Sequence, residues 1–181
     1  MKKSFIFLLL VLIAIFLSGL FGIVHDQISY TVSPEYFTKF KFQQFGLSEL
    51  PLPDRVRASM VGFLASWWMG IPIGLLVGAV GFIHQGHWRM FKISLLSFVL
   101  VVAFTLVFGL CGLLYGWFQT RTINLAEYRD LWFIPNNIVN LRRFLCVGYM
   151  HNSSYLGGAL AILVAWVFHF LIKIKPENKF S

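Results

Sequence analysis

Residues 5–24 read FIFLLLVLIAIFLSGLFGIV, an apolar run with no charged residue between Lys3 and Asp26. An α-helix needs about 20 apolar residues to cross the hydrocarbon core of a bilayer, because each residue adds about 1.5 Å. The run therefore predicts a membrane-spanning helix. It is longer than the apolar core of a removable signal peptide, and no pair of small residues near its end fits a cleavage site, so we expect it to be retained.

Three further apolar stretches have the same character, so the chain is predicted to cross a membrane four times. They cover about residues 60–83, 93–118 and 155–172. The chain is 58% apolar and 12% charged, with a mean hydropathy of +0.75, which excludes an ordinary soluble domain and a disordered chain. We expect an all-α polytopic membrane protein, a four-transmembrane-helix bundle that forms one domain over residues 1–181.

The distribution of Lys and Arg predicts which side of the membrane each loop faces. Both chain ends and the short connection near residue 88 are densely basic, and they hold seven of the 15 basic residues. The two long loops hold the other eight, diluted by six acidic residues. We expect both termini to be cytoplasmic, in the inner membrane of a bacterium. We interpret the net charge of +8 as that of basic residues that anchor the protein at the surface of the lipid bilayer, and we expect no nucleic-acid partner.

Two long loops, at about residues 25–57 and 119–154, are too apolar for flexible solvated connections. In the first loop, Ser33-Pro34-Glu35 is a favourable helix start, because Ser can cap, Pro suits the first helical position and Glu favours the positive end of the helix dipole. A second short helix is predicted within residues 123–133. We expect the two loops to fold together into an extracytoplasmic cap that contains short helices.

Small residues recur at every fourth position in two of the predicted helices, a spacing that aligns them on one helix face. Such faces let helix backbones approach closely inside a membrane. The pattern predicts packing within one chain, with dimerisation through the same faces or a pore lined by them as alternatives. The residues concerned are Gly62, Ser66, Gly70, Gly74, Gly78, Gly157, Ala161 and Ala165.

Polar groups at the outer ends of the first and last helices are the strongest candidates for chemistry. His25, Asp26 and His151 meet there if these helices are neighbours, and Glu35 of the first loop is a further potential ligand. Nitrogen and carboxylate donors of this kind bind Zn²⁺ or a similar divalent metal. The alternative is that the same groups only cap helices and attach the loops to the bundle.

The remaining histidines and the two cysteines give weaker signals. His84, His87 and His169 lie at the predicted inner ends of helices, where they are interpreted as interfacial anchors. Cys111 and Cys146 are the only cysteines, and their different predicted depths make a disulfide bond possible without favouring it.

The sequence leaves three classes of function open. The spans contain no acidic or basic residue in their middle, which argues against a proton-coupled transporter. The first hypothesis is a structural, assembly or interaction protein that contacts other membrane proteins, or a second copy of itself. The second is a metal-binding protein or metal-dependent membrane enzyme. The third is a small oligomeric pore or transporter. No phosphate loop or nucleophile elbow is present, so the sequence leans against an enzyme without deciding the question.

Overall fold

Four helices long and apolar enough to cross a membrane form the structure, a computed structural model that describes residues 2–121, 124 and 127–174. No strand occurs among these residues. The prediction of an all-α bundle of four membrane-spanning helices is therefore confirmed. We call the helices spans 1 to 4, and their bounds are Lys3–Val32, Asp54–Ile83, His87–Gln119 and Leu141–Ile174.

The spans extend beyond the apolar runs that predict them. Span 1 continues to Val32 rather than ending near residue 24, and span 4 begins at Leu141 rather than near residue 155. A helix of 30 residues is about 45 Å long, whereas the hydrocarbon core is about 30 Å thick. Both extra segments lie at the end of the bundle that carries the two long loops, which we call the loop end. The opposite end is the terminal end.

Span 2 changes helical type in its middle. It consists of an α-helix over Asp54–Ser66, a 3-10 turn over Trp67–Met69, an α-helix over Gly70–Val80 and a final 3-10 turn over Gly81–Ile83. Pro72 lies just after the first 3-10 turn. Because proline cannot donate a backbone hydrogen bond, a change of winding near it is expected.

The first long loop becomes helical where the sequence predicts a helix start, although the Ser33 side chain makes no capping hydrogen bond. Helical backbone begins at Pro34 and continues through Pro34–Tyr36, a π-helical segment over Phe37–Lys41, and Phe42–Gln44. Phe37 and Phe42 are fully buried between this segment and the bundle. In the second loop, a short helix covers Tyr128–Leu131, whereas residues 123, 125 and 126 of the predicted helix lie outside the described residues.

Glu35 joins the two loops. Its carboxylate pairs with Lys39 one turn later, and it accepts hydrogen bonds from the backbone N–H groups of Val139 and Asn140 at 3.1 and 2.7 Å. Lys39 in turn donates to the carbonyl oxygen of Asn137. Partial burial alone would raise the pKa of Glu35, but these donors outweigh it and hold the pKa below its usual range.

The bundle consists of two pairs of helices. Span 1 packs mainly against span 2, and span 3 against span 4. Within the first pair the backbones touch, since a Cβ atom on Gly62 would lie 2.1 Å from the carbonyl oxygen of Gly22. Gly70 and Gly74 likewise face the backbone of span 1 near Ala14 and Val11. These glycine contacts are made within one chain.

The second pair has its own close contacts. Gly112 of span 3 faces Ser153 of span 4, and Gly157 of span 4 faces Phe108. Ala161 and Ala165 are fully buried further along the same helix.

Histidines also join the two pairs at the terminal end. The Nε2 atom of His84 lies 2.9 Å from Nδ1 of His169, and both rings are buried. Lys3 donates hydrogen bonds to the backbone carbonyls of Phe82 and His84, and Trp166 donates to that of Leu76. From the sequence, His84 and His169 are interpreted as interfacial anchors. The structure instead shows a buried contact between the two side chains, which joins spans 2 and 4. His87 is half-buried at the start of span 3.

Candidate metal centre

His25, Asp26 and His151 meet at the loop end of the bundle. One potential ligand atom from each residue lies within 4.8 Å of the other two. His25 and Asp26 belong to span 1 and His151 to span 4, so the cluster joins the two helix pairs. All three side chains are almost entirely shielded, with exposed fractions of 4%, 3% and 9%.

His25 contacts a different partner with each ring nitrogen. Its Nδ1 atom lies 3.0 Å from Oδ1 of Asp26, and its Nε2 atom lies 3.1 Å from Oγ of Ser154. Space for the Ser154 hydroxyl comes from Gly109 of span 3, where a Cβ atom would lie 2.3 Å from that oxygen. Because Gly109 of span 3 has no side chain, Ser154 of span 4 can reach His25 of span 1.

His151 is oriented by its ring contacts. Its ring meets that of His25 edge to face, with 4.6 Å between the centroids, and it stacks on Tyr36 of the first loop at 5.0 Å. Its Nε2 atom lies 3.8 Å from Oδ1 of Asp26, which is too long for a hydrogen bond. That nitrogen is buried and has no hydrogen-bond partner among the described residues.

The first loop covers this cluster from the loop end. Burial raises the pKa of Tyr36 above its usual range, and the charges of Tyr155 and Asp26 act in the same direction. Lys41 lies over the ring of Phe40, with 4.8 Å from its Nζ atom to the ring centroid. Burial lowers the pKa of Lys41, although the carboxylate of Asp26 opposes this effect. The cluster is thus closed to water by aromatic rings, with a cationic group nearby.

Three of the four predicted metal ligands come together in the structure, and the fourth does not. His25, Asp26 and His151 come together, whereas the carboxylate of Glu35 is used by Lys39 and the backbone of residues 139–140. Ser154 and Tyr36 are also part of the site, although neither was predicted as a ligand. Ser154 follows His151 by three residues, a spacing that puts both on one helix face, and this was the available signal.

Both cysteines are free thiols and lie apart from this site. Cys111 is exposed on span 3, and Cys146 is buried in span 4, where its sulfur lies 3.8 Å from the hydroxyl oxygen of Thr120. The disulfide bond that the sequence left open is absent from the structure.

No protein-family model matches this chain, and comparisons with curated proteins and with solved structures give no match. The geometry of the site is therefore the basis for inferring what the protein does.

Proposed function

We propose that this integral membrane protein binds a divalent transition metal of the Zn²⁺ class through His25, Asp26 and His151. The observation that carries the proposal is the Nε2 atom of His151, a buried nitrogen without a hydrogen-bond partner 3.8 Å from the Asp26 carboxylate. A buried polar atom without a partner is destabilising, so its presence next to two other potential ligands needs an explanation. Coordination of a metal supplies one.

The spacing of the donor atoms supports this assignment. Zn²⁺ bonds to nitrogen and oxygen at about 2.0–2.2 Å, so two ligands of a tetrahedral ion lie about 3.3–3.6 Å apart. The separations of Oδ1 of Asp26 from the nearer nitrogens of His25 and His151, 3.0 and 3.8 Å, lie on either side of this range. Small shifts would bring these two contacts into the range, and the ligand atoms of His25 and His151, which lie within 4.8 Å of each other, would have to adopt the same spacing.

Charge and hydrogen bonding support it as well. An unpaired carboxylate buried to this extent is destabilising, and a divalent ion bound to Asp26 would supply the compensating positive charge. If Nδ1 of His25 binds the metal, its Nε2–H group donates to Ser154, the kind of outer contact that fixes a ligating imidazole. Three protein ligands leave one coordination position for water or another ligand, as in catalytic zinc sites.

Metal analysis of the purified full-length protein tests the proposal. After incubation with Zn²⁺ and removal of excess ion, the wild type should retain one ion per chain. His25→Ala and His151→Ala should retain little or none, and Asp26→Asn should bind more weakly. His169→Ala is the matched control, because it removes another buried histidine of span 4 that lies at the opposite end. Equal metal content in wild type and His151→Ala would refute the site.

A second candidate function follows from a different observation. Ser154, His25 and Asp26 form a hydrogen-bonded chain with distances of 3.1 and 3.0 Å. One tautomer of His25 satisfies both contacts, with Nδ1–H donating to Asp26 and Nε2 accepting from Ser154. This is the order of nucleophile, base and orienting acid that acyl-transfer enzymes use.

A fluorophosphonate probe distinguishes this serine-based mechanism from metal binding. A serine nucleophile would be labelled in the wild type and not in Ser154→Ala. If the site binds metal, we expect no labelling. Ser154→Ala should then still bind metal, with an affinity about 10- to 100-fold lower than that of the wild type. A wild type that neither binds metal nor reacts with the probe would favour the structural or assembly role predicted from the sequence.

A further inference from the structure

A pocket extends from the candidate metal centre into the membrane-spanning part of the bundle. It lies between the two helix pairs, with Ser66 and Ile73 of span 2 on one side and Val101 and Gly158 on the other. His151 and Gly158 are seven residues apart on span 4, which corresponds to a depth of about 10 Å along the helix axis. The pocket therefore continues well below the three potential ligands.

The pocket is polar at one end and apolar over most of its length. His25, Asp26 and His151 form its polar end, whereas side chains such as Ile73 and Val101 line the remainder. The hydroxyl of Thr105 also reaches the wall, but it donates to the carbonyl oxygen of Val101 at 2.7 Å. Its hydrogen-bonding capacity is thus partly used within its own helix. The pocket has a volume of about 90 Å³, so its deep part has room for a few methylene groups of a hydrocarbon chain.

The pocket reaches the side of the bundle that faces lipid. Tyr155 lines it and is also 61% exposed, although it lies within span 4. Ser18, Ser66 and Met69, which line the opposite wall, are half-buried. A ligand can therefore enter sideways from the bilayer between the helix pairs, without crossing the loops that cover the loop end.

We propose that this pocket binds a membrane-derived fatty carboxylate, with its carboxylate on the metal and its acyl chain along the apolar walls. This inference rests on the proposed metal site, because the open coordination position receives the carboxylate. Hard oxygen donors such as a carboxylate are ordinary ligands of Zn²⁺. The polar-to-apolar order of the pocket matches that of an amphiphile.

Gly158 offers a way to close the pocket without altering any potential ligand. A Cβ atom on Gly158 would have its nearest contact at 3.8 Å, to Thr105, so alanine fits there without displacing a neighbour. A leucine at the same position would extend further toward the apolar walls. Gly158→Ala is therefore the matched control for Gly158→Leu.

Decanoate is a suitable probe, and its binding is measured on full-length protein in a detergent without a carboxylate group. Zinc-loaded wild type should bind one decanoate, and Gly158→Ala, which adds one methyl group to the pocket wall, should bind it no more than about 4-fold more weakly. Gly158→Leu should bind about 10- to 50-fold more weakly, the loss expected when two or three methylene groups leave an apolar wall. Its zinc content should equal that of the wild type. Ala65→Leu, which narrows the pocket from span 2, should weaken decanoate binding in the same way.

The outcomes separate this inference from the metal site. If all variants retain zinc and bind decanoate equally well, the acyl-chain pocket is refuted and the metal site stands. If the wild type retains no zinc but binds decanoate in a manner that depends on Gly158, the pocket is supported and the metal site is refuted. A melting temperature close to that of the wild type ensures that a loss of binding in Gly158→Leu is not due to unfolding.

Discussion

The backbones of Gly22 and Gly62 are in contact, so that a Cβ atom added to either residue would lie within 2.1 Å of the carbonyl oxygen of the other. This contact is one helical turn from His25, and it holds spans 1 and 2 together beneath the candidate metal centre. Any side chain at these positions must push two backbones apart.

We predict that Gly62→Ala destabilises the protein by about 1–3 kcal/mol, the range for overpacking at a close contact. The measurement is the unfolding midpoint of the detergent-solubilised protein. Gly158→Ala adds the same methyl group where the nearest atom is 3.8 Å away, and its midpoint should be nearly unchanged. Similar midpoints for both variants would show that the Gly22–Gly62 contact is not rigid.

A second prediction concerns Glu35, which connects the two loops. Glu35→Ala removes the acceptor for the backbone N–H groups of Val139 and Asn140, so these amides should exchange with deuterium faster than in the wild type. Lys39→Ala is the control, because it removes the ion pair and the hydrogen bond to the carbonyl oxygen of Asn137 but leaves both backbone hydrogen bonds to Glu35. Equal exchange in Glu35→Ala and the wild type would contradict the assigned connection.

The same contacts predict a dependence on pH. The pKa of Glu35 is lower in the folded protein than its ordinary value of 4.5, because its hydrogen-bond donors favour the carboxylate. Its contribution to stability is therefore present above about pH 4.5 and is lost as the pH falls through the lower pKa of the folded state. Proteolysis within the first loop should become faster over this range in the wild type. In Glu35→Ala, proteolysis within the first loop should be fast both above pH 4.5 and at the lower pH.

A third prediction concerns His84 at the terminal end. Burial, and then the charges of Arg89, Lys173 and Lys3, lower the pKa of His84 below 6.5. The unfolded chain therefore takes up a proton at a higher pH than the folded protein does. Stability should be highest above about pH 6.5 and should decline as the pH falls toward the lower pKa of the folded state.

The variant His84→Gln isolates this effect, because glutamine can hydrogen-bond to His169 but does not titrate in this range. Its unfolding midpoint should depend less on pH than that of the wild type between about pH 7 and pH 5. An identical pH dependence in both proteins would assign the effect to other histidines.

A fourth prediction tests the orientation expected from the basic residues. Gln44 and Gln85 are exposed at opposite ends of the bundle, so a cysteine at each position should react from opposite sides of the membrane. A membrane-impermeant maleimide added to intact bacterial cells should label Gln44→Cys and not Gln85→Cys. Replacing the exposed Cys111 by alanine removes the background reaction. The reverse pattern would invert the proposed topology.

The spans were predictable because length and composition decide them, whereas most of the individual contacts between them were not. The run at residues 5–24 identifies span 1 without any knowledge of its neighbours. The helix that begins at Pro34 was predictable for a local reason too, because Pro34 occupies its first position and Glu35 lies in its first turn, although the Ser33 side chain makes no capping hydrogen bond. Both predictions depend on residues adjacent in sequence.

Contacts between residues that are far apart in the chain leave a weaker pattern in the sequence than local structure does. A glutamate is a plausible metal ligand, which is why Glu35 was predicted as one. Its partners are backbone N–H groups about 105 residues away, and because almost every residue has such a group, the sequence cannot identify them. The contact between His84 and His169 depends on how spans 2 and 4 are rotated about their axes. Hydropathy alone gives no such rotation.

The division of the candidate ligands between spans 1 and 4 has a consequence for how the protein matures. His25 and Asp26 precede His151 in the chain, so the ribosome makes span 1 before span 4. A metal ion held by all three residues could therefore be captured only after span 4 has inserted and packed beside span 1. Capture of the ion would then report that these two helices have docked.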